Sequence, residues 1–217
     1  MTDVLLLAAS GLAREVMDAD HEHRIVGILD DNPDLPGRNF GGVEVLGSID
    51  SAAERSEDLL ICAGRGSSRR SIVDRLFALG VSPERYATVV DRSVRVPSSC
   101  AIGRGSIVLA GTVLTSSVTI GAHVVIMPAV VLTHDDRLHD FVTLTAGVAL
   151  AGEVTVGVAA YLGTTASVRE RVTIGAGATV GMGAVVLRDV PAGETWVGNP
   201  AARMTTSTRA FSSEALS

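Results

Sequence analysis

The sequence predicts two domains, a small α/β domain over residues 1–85 and a solenoid of short parallel strands over residues 86–204, followed by a frayed Ser/Thr-rich tail at 205–217. In the first ninety residues, aliphatic runs alternate with helical spacings, a pattern typical of a parallel sheet flanked by helices. From residue 90 onward, one residue in every six is aliphatic. A period of six fits neither an α-helix nor an alternating strand, so each hexapeptide is predicted to be one short strand plus a turn.

The first domain is predicted to be Rossmann-like. Its expected elements are strands at 4–8, 25–29 and 59–63 and helices at 12–20 and 69–79. Ligands of such sheets bind off the carboxyl ends of the strands. The Ser10-Gly11 turn stands at that end, at the start of the first helix, and its N–H groups suit a phosphate.

Two aspartates follow the second predicted strand. Asp30 and Asp31 are predicted to accept hydrogen bonds from a base or a sugar, and a solvated pair of turn acids is the alternative. Leu12 and Gly64 complete the predicted substrate-binding residues. A nicotinamide cofactor is disfavoured, because only one glycine of the three-glycine dinucleotide fingerprint is present.

The aliphatic ladder of the second domain runs in one register without an insertion. Its members are Val90, Val96, Ile102, Val108, Leu114, Ile120, Ile126, Leu132, Leu138, Leu144, Leu150, Val156, Leu162, Val168, Ile174, Val180 and Val186. Glycines beside them, at 103, 121, 157, 163, 175 and 181, are predicted to supply turn conformations that a Cβ would oppose. This repeat resembles the left-handed parallel β-helix of hexapeptide acyltransferases. The resemblance implies triangular coils of three hexapeptides, so that residues 18 apart lie one above another.

Composition narrows the possible functions. The net charge of −6 argues against a nucleic-acid or anionic-membrane surface, and the apolar runs fall short of the roughly 20 residues that span a membrane. Asp3 stands where a signal peptide would carry positive charge, so we expect a soluble, cytoplasmic protein. All 18 basic residues are Arg. The absence of lysine excludes Schiff-base chemistry and a P-loop lysine.

One segment interrupts the ladder with polar residues. It is Thr133-His134-Asp135-Asp136-Arg137, in which Asp136 occupies a position that is elsewhere small or apolar. Such a break in local consistency is typical of a functional site. His123, in an otherwise regular repeat, is expected at the surface or in a subunit contact.

The polar break has two chemical interpretations. The spacing of His134 and His139 resembles that of two zinc ligands in γ-class carbonic anhydrases, but Ser98 stands near the place of the third histidine, and two ligands cannot hold a catalytic zinc. The favoured interpretation is general-base catalysis. An imidazole with an ordinary pKa of about 6.5 takes a proton near neutrality, and Asp135 is placed to orient it. Gly152, 18 residues on, would lie over His134 and offer its N–H to an oxyanion.

The whole chain resembles the family of sialic acid O-acetyltransferases and UDP-4-amino-sugar N-acetyltransferases. The matching segments are LLLAASGLARE (5–15), VGILDDNP (26–33), GVEVLGS (42–48), LTHDDRLHDF (132–141) and residues 172–204, which end in DVPAGETWVGNPAARM. The resemblance extends from about residue 4 to residue 204. Its terminal pattern is highly specific for hexapeptide acyltransferases, and the N-terminal match separates this family from the others.

The resemblance implies an acetyltransferase that uses acetyl-CoA and needs no metal. It assigns His134 as the general base, Asp135 as the acid that increases its basicity and Gly152 as the oxyanion donor. Ser10, Gly11, Asp30 and Asp31 would hold a sugar-nucleotide acceptor, while Thr143, Gly152 and Thr164 would lie along the acetyl-CoA groove between neighbouring solenoids. Members of the family often carry histidine where this chain has Leu12 and Thr143, and His139 replaces a turn glycine.

The family forms homotrimers with active sites between subunits. In this sequence the outward-register residues Val113, Val125, Val131 and Val185 are apolar, as a trimer interface would require, although ordinary strand residues are an equal alternative. A non-catalytic nucleotide-sugar-binding solenoid is the second functional hypothesis, and a zinc enzyme is the third. The linear pattern does not fix the acceptor sugar, N- versus O-acylation or the length of the acyl chain.

Overall fold

The structure is a computed structural model that describes residues 2–205, so the predicted tail lies outside the described residues beyond Thr205. The chain first forms a five-stranded sheet in the order β3-β4-β2-β1-β5, which is parallel except for β3. Its strands are β1 (Asp3–Leu7), β2 (Arg24–Leu29), β3 (Asn39–Phe40), β4 (Val43–Gly47) and β5 (Asp58–Ile61). The helices are α1 (Gly11–Asp18) and α2 (Gly66–Ala78), with 3-10 turns at Ile49–Glu54 and Pro83–Arg85. The three predicted strands and two predicted helices are confirmed, and the β3-β4 hairpin is an addition.

The second domain is the predicted left-handed parallel β-helix. Its strands are β6 (Val89–Val90), β7 (Ala101–Ile102), β8 (Ile107–Val108), β9 (Val113–Leu114), β10 (Thr119–Ile120), β11 (Val125–Ile126), β12 (Val131–Leu132), β13 (Arg137–Leu138), β14 (Thr143–Leu144), β15 (Ala149–Leu150), β16 (Thr155–Val156), β17 (Tyr161–Leu162), β18 (Ser167–Val168), β19 (Thr173–Ile174), β20 (Thr179–Val180), β21 (Val185–Val186), β22 (Thr195–Val197) and β23 (Ala202–Arg203). Paired residues are 18 apart, as Thr119 with Arg137 and Val125 with Thr143. The prediction that residues 18 apart lie one above another is therefore confirmed.

The strands form three faces of a triangular prism. Face I contains β7, β10, β13, β16 and β19, face II contains β6, β8, β11, β14, β17, β20, β22 and β23, and face III contains β9, β12, β15, β18 and β21. The ladder residues from Val108 to Val186 point inward and form one buried apolar column. Val96 is 41% exposed and lies outside the strands, so the predicted ladder is wrong at that position. We call the corner where face III turns into face I, at residues 115–118, 133–136, 151–154 and 169–172, vertex III/I.

The corners take their shape from a residue with positive φ at every sixth position from Gly105 to Gly183. Five of these fourteen residues are glycine, and the others include Asp135 (φ 63°) and Phe141 (φ 62°). The glycines that the sequence singled out for turn conformations do not have positive φ, so that prediction is wrong. Their role is clearance, since a Cβ on Gly103 would lie 2.5 Å from the carbonyl carbon of Gly121 in the next coil.

Arg69 of α2 fastens the two domains together. Its fully buried guanidinium donates to the carbonyls of Ala63 and Gly64 at 2.9 and 3.0 Å. Across the junction it donates to four oxygens of the β-helix, which are the carbonyls of His123, Phe141 and Val142 and the hydroxyl of Thr143, at 2.8 to 3.0 Å. Burial lowers the pKa of Arg69 to about 10, which leaves it protonated at neutral pH. The cation is thus stabilised by six neutral oxygens.

Two predictions about the β-helix surface are wrong because the first domain covers face II. His123 is buried, packed edge-on against Tyr86 at 4.6 Å and stacked on Phe141 at 5.3 Å between ring centroids. Burial, together with the nearby Arg69 cation, lowers the pKa of His123 to about 4. Val125 is 1% exposed and packs with the core of the first domain. Neither residue is free to contact another subunit.

Two further observations concern the cysteines and the helices. Cys62 and Cys100 are free thiols. Within residues 2–205, no helix combines the length and the apolar character that crossing a bilayer requires.

Replacing Arg69 with Met should reduce the free energy of unfolding by about 3–5 kcal/mol, because buried oxygens lose their donor. The free energy of unfolding of Arg69→Lys should lie between those of the wild type and Arg69→Met, since an ammonium has only three N–H donors. Urea unfolding at one fixed protein concentration measures the change. Arg70→Met is the matched control, since Arg70 is exposed and 3.9 Å from Asp74, and it should change stability by less than about 0.5 kcal/mol. Equal stability of Arg69→Met and Arg70→Met would contradict the role assigned to Arg69.

Candidate active site

His134 and Asp135 form a hydrogen-bonded pair at vertex III/I, between β12 and β13. The His134 Nδ1 lies 2.9 Å from the Asp135 Oδ2, and both side chains are more than half exposed. The carboxylate accepts a hydrogen bond from Nδ1–H, which fixes the tautomer and leaves the lone pair on Nε2. Nε2 is therefore the atom that can take a proton from a substrate.

Gly152 lies directly against the imidazole of His134. A Cβ on Gly152 would stand 2.4 Å from both Cε1 and Nε2 of the ring, so a larger residue here would displace the imidazole. The coils are held together here by the Glu153 N–H, which donates to the His134 carbonyl at 2.9 Å. Within residues 2–205 the Gly152 N–H has no hydrogen-bond acceptor. A proton acceptor and an unused N–H donor thus lie side by side.

Asp136, next along the chain, points into the β-helix and is fully buried. Its Oδ2 accepts from the Thr133 N–H at 2.8 Å, and its Oδ1 accepts from the Val154 N–H at 2.9 Å. Burial raises the pKa of Asp136 to about 6, against the lowering effect of these two hydrogen bonds. The break that the sequence revealed is therefore one exposed acid beside the imidazole and one buried acid beneath it.

A cavity of about 590 Å³ lies between the first domain and face II. The first domain contributes the predicted residues Ser10, Gly11, Leu12 and Gly64 to its wall. Face II contributes the outward residues of successive coils, Val125, Thr143, Tyr161 and Thr179. The structure thus brings together four of the predicted substrate-binding residues.

The N-terminus of α1 opens into this cavity. Ser10 caps the helix, since its Oγ accepts from the Ala13 N–H at 3.2 Å and donates to the Cys62 carbonyl at 2.6 Å. The N–H groups of Gly11 and Leu12 have no acceptor within residues 2–205, and the first turn holds no acidic residue. Such a helix start favours an anion. Arg65 also lines the cavity and adds a positive charge.

Asp30 and Asp31 do not line the cavity. Asp30 accepts from the N–H groups of Ala9 at 2.7 Å and Asn32 at 2.8 Å, which holds the loop after β1 against the loop after β2. Asp31 accepts from Ile49 N–H at 3.1 Å and binds Arg75 at 2.7 Å. Their carboxylates already bind protein groups, which is closer to the alternative interpretation of the pair as loop acids.

Thr143 and Thr164 lie away from His134 in the same chain. Thr143 is buried, accepts from Arg69 at 3.0 Å and donates to the Gly64 carbonyl at 2.9 Å, so it joins the domains and lines the cavity. Thr164 is exposed at the corner between faces II and III, with its Oγ1 3.3 Å from that of Thr145. His139 is exposed. Within residues 2–205, no three His, Cys, Asp or Glu side chains come together as a metal site.

The cavity residues that sequence reasoning missed include Glu15, Arg65 and Tyr161. Tyr161 was detectable, because a large aromatic in the outward register is unusual in a chain with 3% aromatic residues. Arg65 lies 6.0 Å from the centroid of its ring. Burial raises the pKa of Glu15. The sequence carries no signal for Glu15 and Arg65, because their position depends on how the domains dock.

The base and the cavity are on opposite sides of one chain. His134 lies on vertex III/I, and the cavity lies on face II, which is the face opposite that vertex. Six extended residues per side give a triangle whose height is on the order of 15 Å. One chain therefore does not bring His134 to its own cavity.

The sequence matches no protein-family model and no curated protein. Solved structures do match. The acetyltransferase domain of PglB from Neisseria gonorrhoeae, in complex with acetyl coenzyme A, is 28% identical with a TM-score of 0.81, over 94% of this chain and 99% of that chain. Perosamine N-acetyltransferase from Caulobacter crescentus, in complex with CoA and GDP-perosamine, is 29% identical with a TM-score of 0.84, over 94% and 98% of the two chains.

WeeI from Acinetobacter baumannii is 25% identical with a TM-score of 0.63, over 94% of this chain and all of that one. These similarities extend over both domains, including the one that forms the cavity wall. Together with the hexapeptide repeat and the His134 corner, they agree with the family that the sequence motifs indicated. Over nearly its whole length the chain is therefore similar to hexapeptide-repeat sugar acetyltransferases.

Proposed function

We propose that this protein transfers an acetyl group from acetyl-CoA directly to the amino group of a nucleotide-activated amino sugar, with His134 as the general base. The observation that carries the proposal is the contact of the His134 ring with Asp135 on one side and Gly152 on the other. Two solved relatives are named as acetyltransferases, and one of these is an N-acetyltransferase bound to GDP-perosamine. An amine acceptor is therefore preferred over a hydroxyl.

The chemistry follows from the two groups at vertex III/I. Acetyl-CoA supplies the activated acyl group as a thioester. His134 Nε2 takes the proton that the sugar amine loses as its nitrogen bonds to the carbonyl carbon, and Asp135 stabilises the imidazolium that results. The Gly152 N–H donates to the oxygen that becomes negatively charged. When the carbonyl re-forms, the C–S bond of the thioester breaks, and CoA leaves as its thiol with the proton that the His134 imidazolium returns. Cys62 is buried, and burial raises the pKa of its thiol, so it is no candidate for a covalent intermediate.

The residues along vertex III/I suit the phosphates of CoA. Arg169 and Arg171 lie two coils beyond His134, and Arg188 lies three coils beyond, which places them roughly 10 and 15 Å away at the strand spacing. Arg169 and Arg171 are held only by exposed pairs, with Glu170 and Glu153 at 3.2 and 3.1 Å. Because exposed ion pairs contribute little, these cations are available to a phosphate at small cost.

The cavity suits the nucleotide part of the acceptor. The free N–H groups at the start of α1 and the Arg65 side chain converge on a space of about 590 Å³, which is within the range of small-molecule sites. In this proposal the diphosphate binds at Gly11 and Leu12, and the sugar extends along Thr143 and Tyr161 on face II. Leu12 provides an apolar contact where relatives often carry histidine.

A homotrimer completes the site. Since one chain separates His134 from its cavity, a neighbour must bring its vertex III/I to face II, and a three-fold ring satisfies all three copies. Thr143 and Thr164 would then form one wall of the acetyl-CoA groove and Gly152 of the neighbour the other. Val113 is 47% exposed, and Val131 and Val185 are partly exposed on face III, which leaves apolar surface for such a contact.

Replacing His134 with Ala should lower kcat/KM by about 10²–10⁴-fold, because proton transfer loses its base. The measurement is release of CoA thiol with a panel of nucleotide amino sugars. The variant should keep the wild-type thermal midpoint, since His134 is exposed. Full activity in His134→Ala would remove the base from its role, and absence of acetyl-CoA binding by the wild type in calorimetry would favour a binding-only solenoid.

Replacing Gly152 with Ala should lower kcat by roughly 10²-fold, because the new Cβ displaces the imidazole by an ångström or more. Glu170→Ala is the matched control at the same corner position, one coil further along vertex III/I, and should keep kcat within about twofold of wild type. The same thiol assay measures both. Unchanged kcat in Gly152→Ala would refute the close contact of ring and backbone.

Mixed trimers test whether the site is shared between subunits. His134→Ala and Gly11→Trp, which fills the cavity mouth, should each be inactive alone. Co-expressed in equal amounts, they should recover roughly a quarter of wild-type activity, because a quarter of the sites combine an intact base with an intact cavity. Recovery near zero, with trimers present by light scattering, would place both parts of each site in one chain.

A further inference from the structure

Asp136 is the one charged side chain in the interior register of the β-helix between residues 102 and 186. The residues above and below it in the same column, Val118 and Val154, are fully buried valines. A valine at 136 would therefore continue the column, and the buried carboxylate is not required by packing. Buried charges of this kind cost stability unless their partners compensate.

One oxygen of Asp136 removes a backbone bond from the ladder between coils. At twelve positions, from Gly103 to Arg169 in steps of six, eleven N–H groups donate to the carbonyl 17 residues on, as Ala151 does to Val168 at 2.9 Å. Thr133 is the exception, because its N–H donates to the Asp136 Oδ2 at 2.8 Å. The Leu150 carbonyl, left without that donor, accepts from the Thr133 hydroxyl at 3.1 Å. The corner before His134 is thus shaped by a side chain.

The other oxygen of Asp136 reaches the next coil. It accepts from the Val154 N–H at 2.9 Å. At positions 148, 160, 166, 178 and 184 the corresponding N–H closes its own turn, as Ala166 does with the Gly163 carbonyl at 3.0 Å, and at Val124 it donates to the Ser106 hydroxyl of the preceding coil at 3.0 Å. One carboxylate therefore connects the corner that carries His134 to the corner that carries Gly152.

We infer that Asp136 is a positioning residue for catalysis, which sets the imidazole of His134 against the N–H of Gly152 by holding both corners at once. The inference rests on the proposed role of His134 as the base. It assigns a function to the only carboxylate of the polar break that cannot reach a substrate. Asp135 orients the ring from outside, and Asp136 fixes the backbone on which the ring is mounted.

The charge of Asp136 gives this role a pH dependence. Burial raises the pKa of Asp136 to about 6. The charged groups that act on it are His134 and Asp135 of its own corner, while Glu153 and Arg171 on the next two coils bind each other at 3.1 Å. Protonation turns one acceptor oxygen of the carboxyl into an O–H donor. One of the two hydrogen bonds from backbone N–H groups is therefore lost as the pH falls below about 6.

The first test replaces Asp136 with Val and compares it with Thr112→Val. Thr112 is a matched control, because it is a buried polar residue of the interior register whose hydroxyl has no partner within residues 2–205. Both variants should keep or raise the thermal midpoint. Asp136→Val should lower kcat at least tenfold with both KM values within twofold of wild type, whereas Thr112→Val should leave kcat unchanged. A kcat within twofold of wild type in Asp136→Val overturns the inference.

The second test is the pH profile of kcat. As the pH falls below about 6 the wild type should lose activity more steeply than Asp136→Asn, which keeps the shape and one acceptor, because only the wild type has a carboxylate at position 136 that takes up a proton. Identical slopes overturn the inference. If His134→Ala remains active, the proposed function fails. If His134→Ala is inactive but Asp136→Val and Asp136→Asn behave as wild type, only the positioning role fails.

Discussion

The hydrogen bonds between successive coils are the constraint on which the rest of this structure depends. Each short strand pairs with those 18 residues before and after it, and these pairs fix the height of every corner. Because the strands on both sides of the His134 corner stay paired with the next coil, Gly152 lies one coil spacing from His134 and against its imidazole. The height of this corner is therefore set by backbone pairing, and side chains adjust its shape locally. Asp136 is that adjustment.

The period of six was sufficient to predict the β-helix, the interior residues and the position of Gly152, because those features depend on repeat geometry alone. It was misleading for His123 and Val125, which the sequence places in an ordinary outward register. Their burial depends on the docking of the first domain, and docking leaves no periodic signal. The same reason explains why Arg69 was not predicted, although it makes six hydrogen bonds. The cavity residues Ser10, Gly11 and Leu12 were predictable, since a capped helix start is a local motif.

The corners separate two properties that glycine combines. Nine of the fourteen positive-φ positions carry other residues, at a cost of roughly 1–2 kcal/mol each that the stacking of coils offsets. Clearance from the backbone of the next coil, rather than a positive φ, is what requires glycine at 103 or 157. Asp136 adds a different cost. Its raised pKa means that the folded state disfavours the charged form, so a penalty of a few kcal/mol is present at neutral pH and disappears as the pH falls below the ordinary range of aspartate.

The junction at Arg69 has a consequence for how specificity changes in this family fold. A guanidinium held by oxygens of both domains fixes the angle between them, so the cavity is preformed, and under the proposed function its two walls are not re-angled to fit a new sugar. Divergence toward a different acceptor must then proceed by exchanging wall residues such as Leu12 or Tyr161, one contact at a time. Laboratory evolution of this enzyme should accordingly accumulate its productive substitutions along face II and the start of α1, and leave the interdomain loop unchanged.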